Sequence, residues 1–389
     1  MPSNLTYRGG PRPGARALRW TAVGVLALCA PPLLGVWLAG LPLARYVQFP
    51  PKEQYIAHAA PSAAAMVLFA VLGAAALGAL LFVLWPRAAA PVNESGAPSR
   101  RRGEFPWWGR LALAALALSW LFAWTRWAAL SGLQSYSFVP LWLSYIALVN
   151  ALTRRRTGTC LACRRRGLFL ALFPASAVFW WYFEYLNRFV QNWQYTGVDV
   201  SDALGYGLHA TLAFSTVLPA VASTQELLAT FGPLRHGWSR AVRVEHSRAV
   251  AALVLLVSLG ALLALGVRPN LLFPTIWLAP LGILLALQTL AAPRGEARNY
   301  LAPLAAGRWE VIYLPALAAL TCGVFWEMWN EYSAAKWVYH IAFVERWKVF
   351  EMPLLGYLGY LPFGVQCAVV IDLVRRALSA RREADDDRR

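Results

Sequence analysis

Apolar residues run through this chain in long blocks and seldom alternate with polar ones. The hydrocarbon core of a bilayer takes about 20 apolar residues per helix. Ten windows reach or approach that length: 20–41, 62–85, 111–131, 138–152, 168–187, 207–231, 249–266, 271–292, 311–330 and 354–374. None shows the period of two that a membrane β-barrel needs, so the pattern predicts helices. The fourth window is short, and its helix is expected to start nearer Ser135. The expected fold is an all-α integral membrane protein with about ten transmembrane helices.

Composition sharpens this reading. The chain of 389 residues is 59% hydrophobic and 14% charged, with a mean hydropathy of +0.47. Soluble domains carry roughly 45–50% apolar and about 25% charged residues, so a soluble globule, a disordered chain and a coiled coil are all excluded. The net charge of +17 would point to nucleic acid if it were spread over a surface. It is not: 28 of the 36 basic residues fall in the N-terminal segment, the even-numbered loops and the tail. The other 8 are shared by the odd-numbered loops and adjoining helix ends. The positive-inside rule then puts both termini on the cytoplasmic side and makes the charge an insertion signal, with no nucleic-acid partner. Arg8, Arg12, Arg16 and Arg19 precede a first window that holds Pro31 and Pro32 and no small-residue cleavage site. That is the pattern of an uncleaved signal anchor. Three lysines among 36 basic residues fit a GC-rich bacterial genome, hence a bacterial inner membrane.

The chain also repeats itself. Phe138-Val-Pro-Leu-Trp142-Leu aligns with Phe273-Pro-Thr-Ile-Trp277-Leu. Glu184 and Asn187, followed by Trp193 and Tyr195, align with Glu327 and Asn330, followed by Trp337 and Tyr339. A Leu-Gly-Tyr then heads the next window in each copy, at 204–206 and 355–357. The predicted order is two leading helices with a basic linker (1–110), two parallel four-helix units (111–235 and 236–377) and a charged cytoplasmic tail (378–389). Parallel repeats are a known membrane architecture, with sites near the repeat interface.

With this topology both Glu-x-x-Asn motifs lie at extracytoplasmic helix ends. The i, i+3 spacing puts carboxylate and amide on one helical face. Carboxylates in membrane helices are costly and usually face a cavity or the protein interior. The catalytic candidates are therefore Glu184, Asn187, His209, Glu327 and Asn330. Trp181, Trp193, Trp326, Trp337, Tyr339, Glu351 and Tyr357 are the candidates for substrate binding. Each has a plainer reading: Glu184 pairing with Arg188 at i+4, the amides bridging helices, His209 in the core, and the tryptophans in an interfacial belt. Glu327 has a like charge, Glu331, at i+4. Glu226, and Asp372 with Arg375, read as ion pairs at helix ends. Cys160-Leu-Ala-Cys163 lacks the second ligand pair of a structural zinc site, and no metal site is expected there. Glu184, His209, Glu327 and Glu351 likewise have no recognised ligand spacing. No nucleotide loop, Ser–His–Asp order or HExxH occurs, and no cofactor is implied.

Segments 179–195 and 326–363 resemble a family of bacterial multi-pass membrane proteins to which no activity is attached. A fainter resemblance is to membrane-embedded lycopene (carotenoid) cyclases. In those, short helical units repeat, and an outward Trp/acid helix is followed by a Gly…Pro-x-Glu-Glu helix start. Gly359 and Pro362 match that start, while Gly364 and Val365 stand at the acidic pair. The resemblance implies a shared architecture.

Three functions remain open from sequence: an intramembrane enzyme or binding protein for a lipid or isoprenoid, a secondary transporter or channel-like module, and a membrane scaffold. The orientation has a direct test. A membrane-impermeant thiol reagent applied to intact cells should leave a cysteine placed in loop 154–166 unlabelled, and labelling from outside would overturn the assignment.

Overall fold

A computed structural model describes residues 13–51, 54–84, 103–198, 202–232, 234, 243–245, 247–293 and 299–386. Asp199, Lys52 and many of the arginines counted above, including Arg8, Arg12, Arg100, Arg101 and Arg102, lie outside the described residues. Of the described residues, 74% are helical. Its longer described helices are α1 (Pro13–Leu38), α2 (Ala63–Leu84), α3 (Trp107–Trp124), α4 (Phe138–Thr157), α5 (Arg166–Val190), α6 (Ala203–Phe214), α7 (Val217–Leu228), α8 (Arg248–Leu265), α9 (Thr275–Ala291), α10 (Glu310–Glu331) and α11 (Tyr360–Asp386). Six described segments are long and apolar enough to cross a membrane: Leu18–Leu38, Arg166–Val190, Ala203–Leu228, Arg248–Leu265, Glu310–Glu331 and Leu354–Arg381. A seventh counts if Trp107–Trp124 is joined to Ala128–Gln134 across a bend of 107°.

Every apolar window contains a helix, yet several boundaries differ from the sequence expectation for identifiable reasons. α3 stops at Trp124 because Gln134 folds back, its Nε2 donating to the carbonyls of Phe122 (2.8 Å) and Thr125 (2.6 Å). Those carbonyls would otherwise be orphaned at the helix end. α4 begins at Phe138, not near Ser135, and gains its length at the basic end through Arg154, Arg155 and Arg156. Cationic side chains suit a helix C-terminus, and their long stems let the charge leave the apolar zone. Gly158, at φ 80°, then closes the helix in the left-handed region. The sixth window is broken into α6 and α7. Ser176 of α5 serves the break, its hydroxyl donating to the Phe214 carbonyl (2.6 Å) and accepting the Leu218 N–H (3.0 Å).

The helices pack in pairs, α3 on α4, α8 on α9 and α10 on α11, and α7 lies against α4, α5 and α10. α1 rests on α8 and α9. The outer faces keep Leu26, Leu68, Leu118 and Leu256 more than half exposed, while Ser176, Thr216, Glu327 and Asn330 are buried. Apolar outside and polar inside is the distribution that suits helices surrounded by lipid.

Two short antiparallel sheets lie at one end of the bundle. β1 (Trp193–Thr196) pairs with β2 (Lys336–Tyr339), and β3 (Lys348–Val349) with β4 (Met352–Pro353). Segment 54–62 is strapped over the same end. Gln191 Oε1 accepts the N–H groups of Tyr55 and Ile56 (2.8 Å each), and Ser62 N–H donates to the Phe343 carbonyl (3.0 Å). At the opposite end Asp372 pairs with Arg375 and Arg376, and Glu226 with Arg164 (2.7 Å), the ion pairs expected from sequence.

The α10–α11 crossing depends on Gly364. A Cβ built there would strike the Pro315 carbonyl oxygen and lie 2.8 Å from the Ala319 methyl. Gly364→Val should cost about 1–3 kcal/mol through overpacking. Gly260→Ala, with nothing within 4 Å of its Cβ, should leave stability unchanged or slightly raised. Thermal unfolding of the purified protein in detergent checks both; a Gly364→Val midpoint equal to that of Gly260→Ala would show that the close crossing is absent.

Candidate functional site: an aromatic cavity backed by two glutamates

The site grows from the last turn of α5. Glu184 and Asn187 share one face there, and Gln191, at φ 48°, turns the chain back as β1. Asn187 holds the return in place: its Nδ2 donates to the Trp193 carbonyl (2.7 Å) and its Oδ1 accepts the Trp193 N–H (3.4 Å). Clamped in this way, β1 brings its side chains over Glu184. Three donors meet on Glu184 Oε1: the Tyr195 hydroxyl (2.7 Å), Trp193 Nε1 (3.0 Å) and Trp180 Nε1 (3.1 Å).

α10 repeats the arrangement with other details. Asn330 Nδ2 donates to the Trp337 carbonyl (2.7 Å) and Oδ1 accepts the Trp337 N–H (2.9 Å). Glu327 Oε1 accepts from the hydroxyls of Tyr339 (2.8 Å) and Tyr360 (2.7 Å), and Trp337 Nε1 donates to the Tyr339 oxygen (2.9 Å). Glu327 is fully buried and its second oxygen, Oε2, has no hydrogen-bond partner. A buried carboxyl oxygen without a donor is costly, and such exceptions call for an explanation.

The two arrangements meet at the strands. β1 and β2 pair antiparallel with Trp193 opposite Tyr339 and Tyr195 opposite Trp337. Exchanging the two Trp-x-Tyr segments reproduces the same pairs, so the register is self-complementary, as in an isologous interface. Ring contacts repeat the exchange: Trp142 of α4 packs on Trp326 of α10 (4.9 Å between centroids), and Trp277 of α9 packs on Phe183 of α5 (5.0 Å).

Between them lies a cavity of about 130 Å³. Its wall includes Trp180, Trp193, Tyr195, Trp277, Trp326, Trp337, Tyr339 and Tyr360, with His209 and Lys336 also on the lining. Glu184 and Glu327 are not on the lining; they stand behind the rings and hold their polar edges. Burial and the adjoining glutamate hold the phenols of Tyr195 and Tyr339 well above the ordinary tyrosine range, so both stay O–H donors. Lys336 is matched by an ion pair with Glu351 and also donates to the Glu331 carbonyl (3.2 Å).

Trp193, Trp326, Trp337, Tyr339 and His209 thus line the cavity, as a sequence-chosen site requires. His209 stacks on Tyr136 (4.4 Å between centroids), and its Nδ1 is buried without a partner. Asn187 and Asn330 spend their amides on strand backbone. Trp181 is elsewhere, its Nε1 donating to the Thr211 hydroxyl (2.9 Å). Tyr357 donates to the Val349 carbonyl (3.0 Å), and Glu351 serves as the counter-ion of Lys336. The expected pairing of Glu184 with Arg188 is not among the described ion pairs. Arg188 donates to the Gln48 carbonyl, while Glu184 takes its donors from rings. Glu327 likewise takes hydroxyl donors from Tyr339 and Tyr360. Trp180, Tyr195, Trp277 and Tyr360 were missing from the candidate set. The signal for Tyr195 was present, since it is the repeat partner of the candidate Tyr339, and Trp277 stands in the repeated Phe-x-x-x-Trp segment.

No described group of three or more His, Cys, Asp or Glu residues is placed to hold a metal ion. At the opposite end of the bundle the thiols of Cys160 and Cys163 are 2.8 Å apart. Burial, then the Cys163 thiol, push the Cys160 thiol up to about 12, well away from thiolate reactivity.

No family model, curated protein or solved structure matches the chain.

The amide clamps carry a prediction. Asn187→Ala and Asn330→Ala each leave strand backbone groups without their partners, at a cost of about 1–3 kcal/mol. Each should lower the thermal midpoint in detergent; a midpoint equal to wild type for both would refute the clamp role.

Proposed function

We propose that the protein is a bacterial inner-membrane protein that handles a lipid or isoprenoid, as an enzyme or a binding protein, from the extracytoplasmic half of the bilayer. The observation that carries this reading is the aromatic cavity, with rings for walls and two buried glutamates behind them. A cavity of about 150 Å³ is enough for a benzene-sized molecule, so the site takes one chemical group of a larger ligand. Mostly apolar walls with a few fixed polar groups are the usual make-up of a ligand site. In the enzymatic form of the reading, Glu327 and Glu184 are the acid–base pair. Tyr360, which both lines the cavity and bonds Glu327, connects the second carboxyl to the ligand.

The topology that goes with it has about ten spans: two leading helices and two parallel four-helix units, with both termini cytoplasmic. Support comes from the helix in every apolar window, the segregation of 28 of 36 basic residues, and the matching Glu–Asn–Trp–Tyr hydrogen-bond sets. A two-fold axis along the membrane normal would turn a strand at the outer surface into its antiparallel neighbour, the relation that β1 and β2 have.

The test is genetic and chemical. Glu184→Gln and Glu327→Gln, expressed and folded, should alter the lipid or pigment profile of cells in which the protein is the only source of the activity. An unchanged profile removes the enzymatic form. Solute flux into proteoliposomes that both changes abolish would replace the lipid reading with transport.

A further inference from the structure

The ring arrangement says more than that the cavity is apolar. Trp180, Trp193 and Tyr195 turn their N–H or O–H edges to Glu184, and Tyr339 and Tyr360 turn theirs to Glu327. All five rings line the cavity. A ring whose N–H or O–H is drawn to a carboxyl oxygen becomes richer in π electrons, and its face more attractive to a cation. The same bonds leave those donors no role in binding an anion or a carbonyl.

Charge points the same way. Among the described residues the one cation on the lining, Lys336, is matched by Glu351, and Arg188 is turned to the Gln48 carbonyl. No described cationic side chain forms an ion pair with Glu184 or Glu327. A hard ammonium would need several hydrogen-bond acceptors on the wall, whereas a quaternary ammonium is held by aromatic rings. At about 130 Å³ the cavity is also the right size for a trimethylammonium group and its first methylene.

We infer that the cavity is an aromatic cage for the quaternary ammonium group of a lipid. This rests on the lipid-handling reading and specifies which end of the lipid is held: the cationic head enters the cage and the tail stays in the bilayer.

The test uses the full-length protein in a neutral maltoside detergent and three probes with one chain length: octyltrimethylammonium, octylammonium and the uncharged isostere 2,2-dimethyldecane. Binding is read by calorimetry. Octyltrimethylammonium should bind at least about tenfold more tightly than either other probe. Tyr339→Phe with Tyr360→Phe keeps both rings and removes their hydrogen bonds to Glu327. That double variant should lose several-fold in affinity for octyltrimethylammonium and leave the isostere unchanged. Should it not fold, the ranking of the three probes on wild type decides alone. Equal affinity for the isostere and octyltrimethylammonium overturns the cage and leaves a purely apolar lipid pocket. Tighter binding of octylammonium overturns it in favour of a hydrogen-bonding amine site. Failure of all three to bind overturns the cage and the lipid-handling reading together.

Discussion

A carboxyl group inside an apolar helix bundle must be given hydrogen-bond donors, because neither lipid nor hydrocarbon side chains can supply them. Much of the strand end of this protein follows from meeting that demand twice. Glu184 and Glu327 are buried, and all their donors are aromatic N–H or O–H groups. Aromatic donors pair a polar edge with a large apolar face. With their edges turned to the glutamates, the apolar remainder of these rings is left to wall the cavity beside them.

The strands are the means of delivery. Glu184 takes two donors, and Glu327 one, from the strand that follows the helix carrying the glutamate, and an asparagine one turn beyond the glutamate fixes that return. Because β1 and β2 also pair with each other, the position of Tyr195 depends on that of Trp337, and that of Trp193 on Tyr339. The ring contacts of Trp142 with Trp326, and of Trp277 with Phe183, bind the same parts together deeper in the bundle. The two sides of the cavity are thus joined through two separate sets of contacts.

How much of this was legible in the sequence depended on what each feature needs. Helix placement needs only length and apolarity, so every window holds a helix. Helix ends depend on local partners: the Ser176 hydroxyl behind the break at 215–216 and the Gln134 amide behind the end of α3 come from elsewhere in the chain and leave no periodic signature. The Trp-x-Tyr segments were found by their repetition, but not as strands, because four residues of mixed polarity give too short a pattern. The choice of Glu184, Glu327 and their asparagines rested on the cost of burying polar groups, and all four are buried. Which rings line the cavity is decided by packing among six helices and two strands. Trp180 and Trp181 are adjacent in sequence and end on different faces of α5, one on the cavity and the other on Thr211.

The two glutamates are not equivalent, and the difference bears on where chemistry could occur. Glu184 Oε1 takes three donors, two of them indole N–H groups that can only donate, so this oxygen is committed as an acceptor. Glu327 Oε1 takes two phenols, groups able to donate or accept, while Oε2 takes nothing. A proton can enter or leave the second arrangement through the bare oxygen or by reorientation of the phenols. In the first, Oε1 is filled by its three donors and serves as a fixed support for their rings. Glu327 keeps an open hydrogen-bonding site, with Tyr360 standing between it and the cavity.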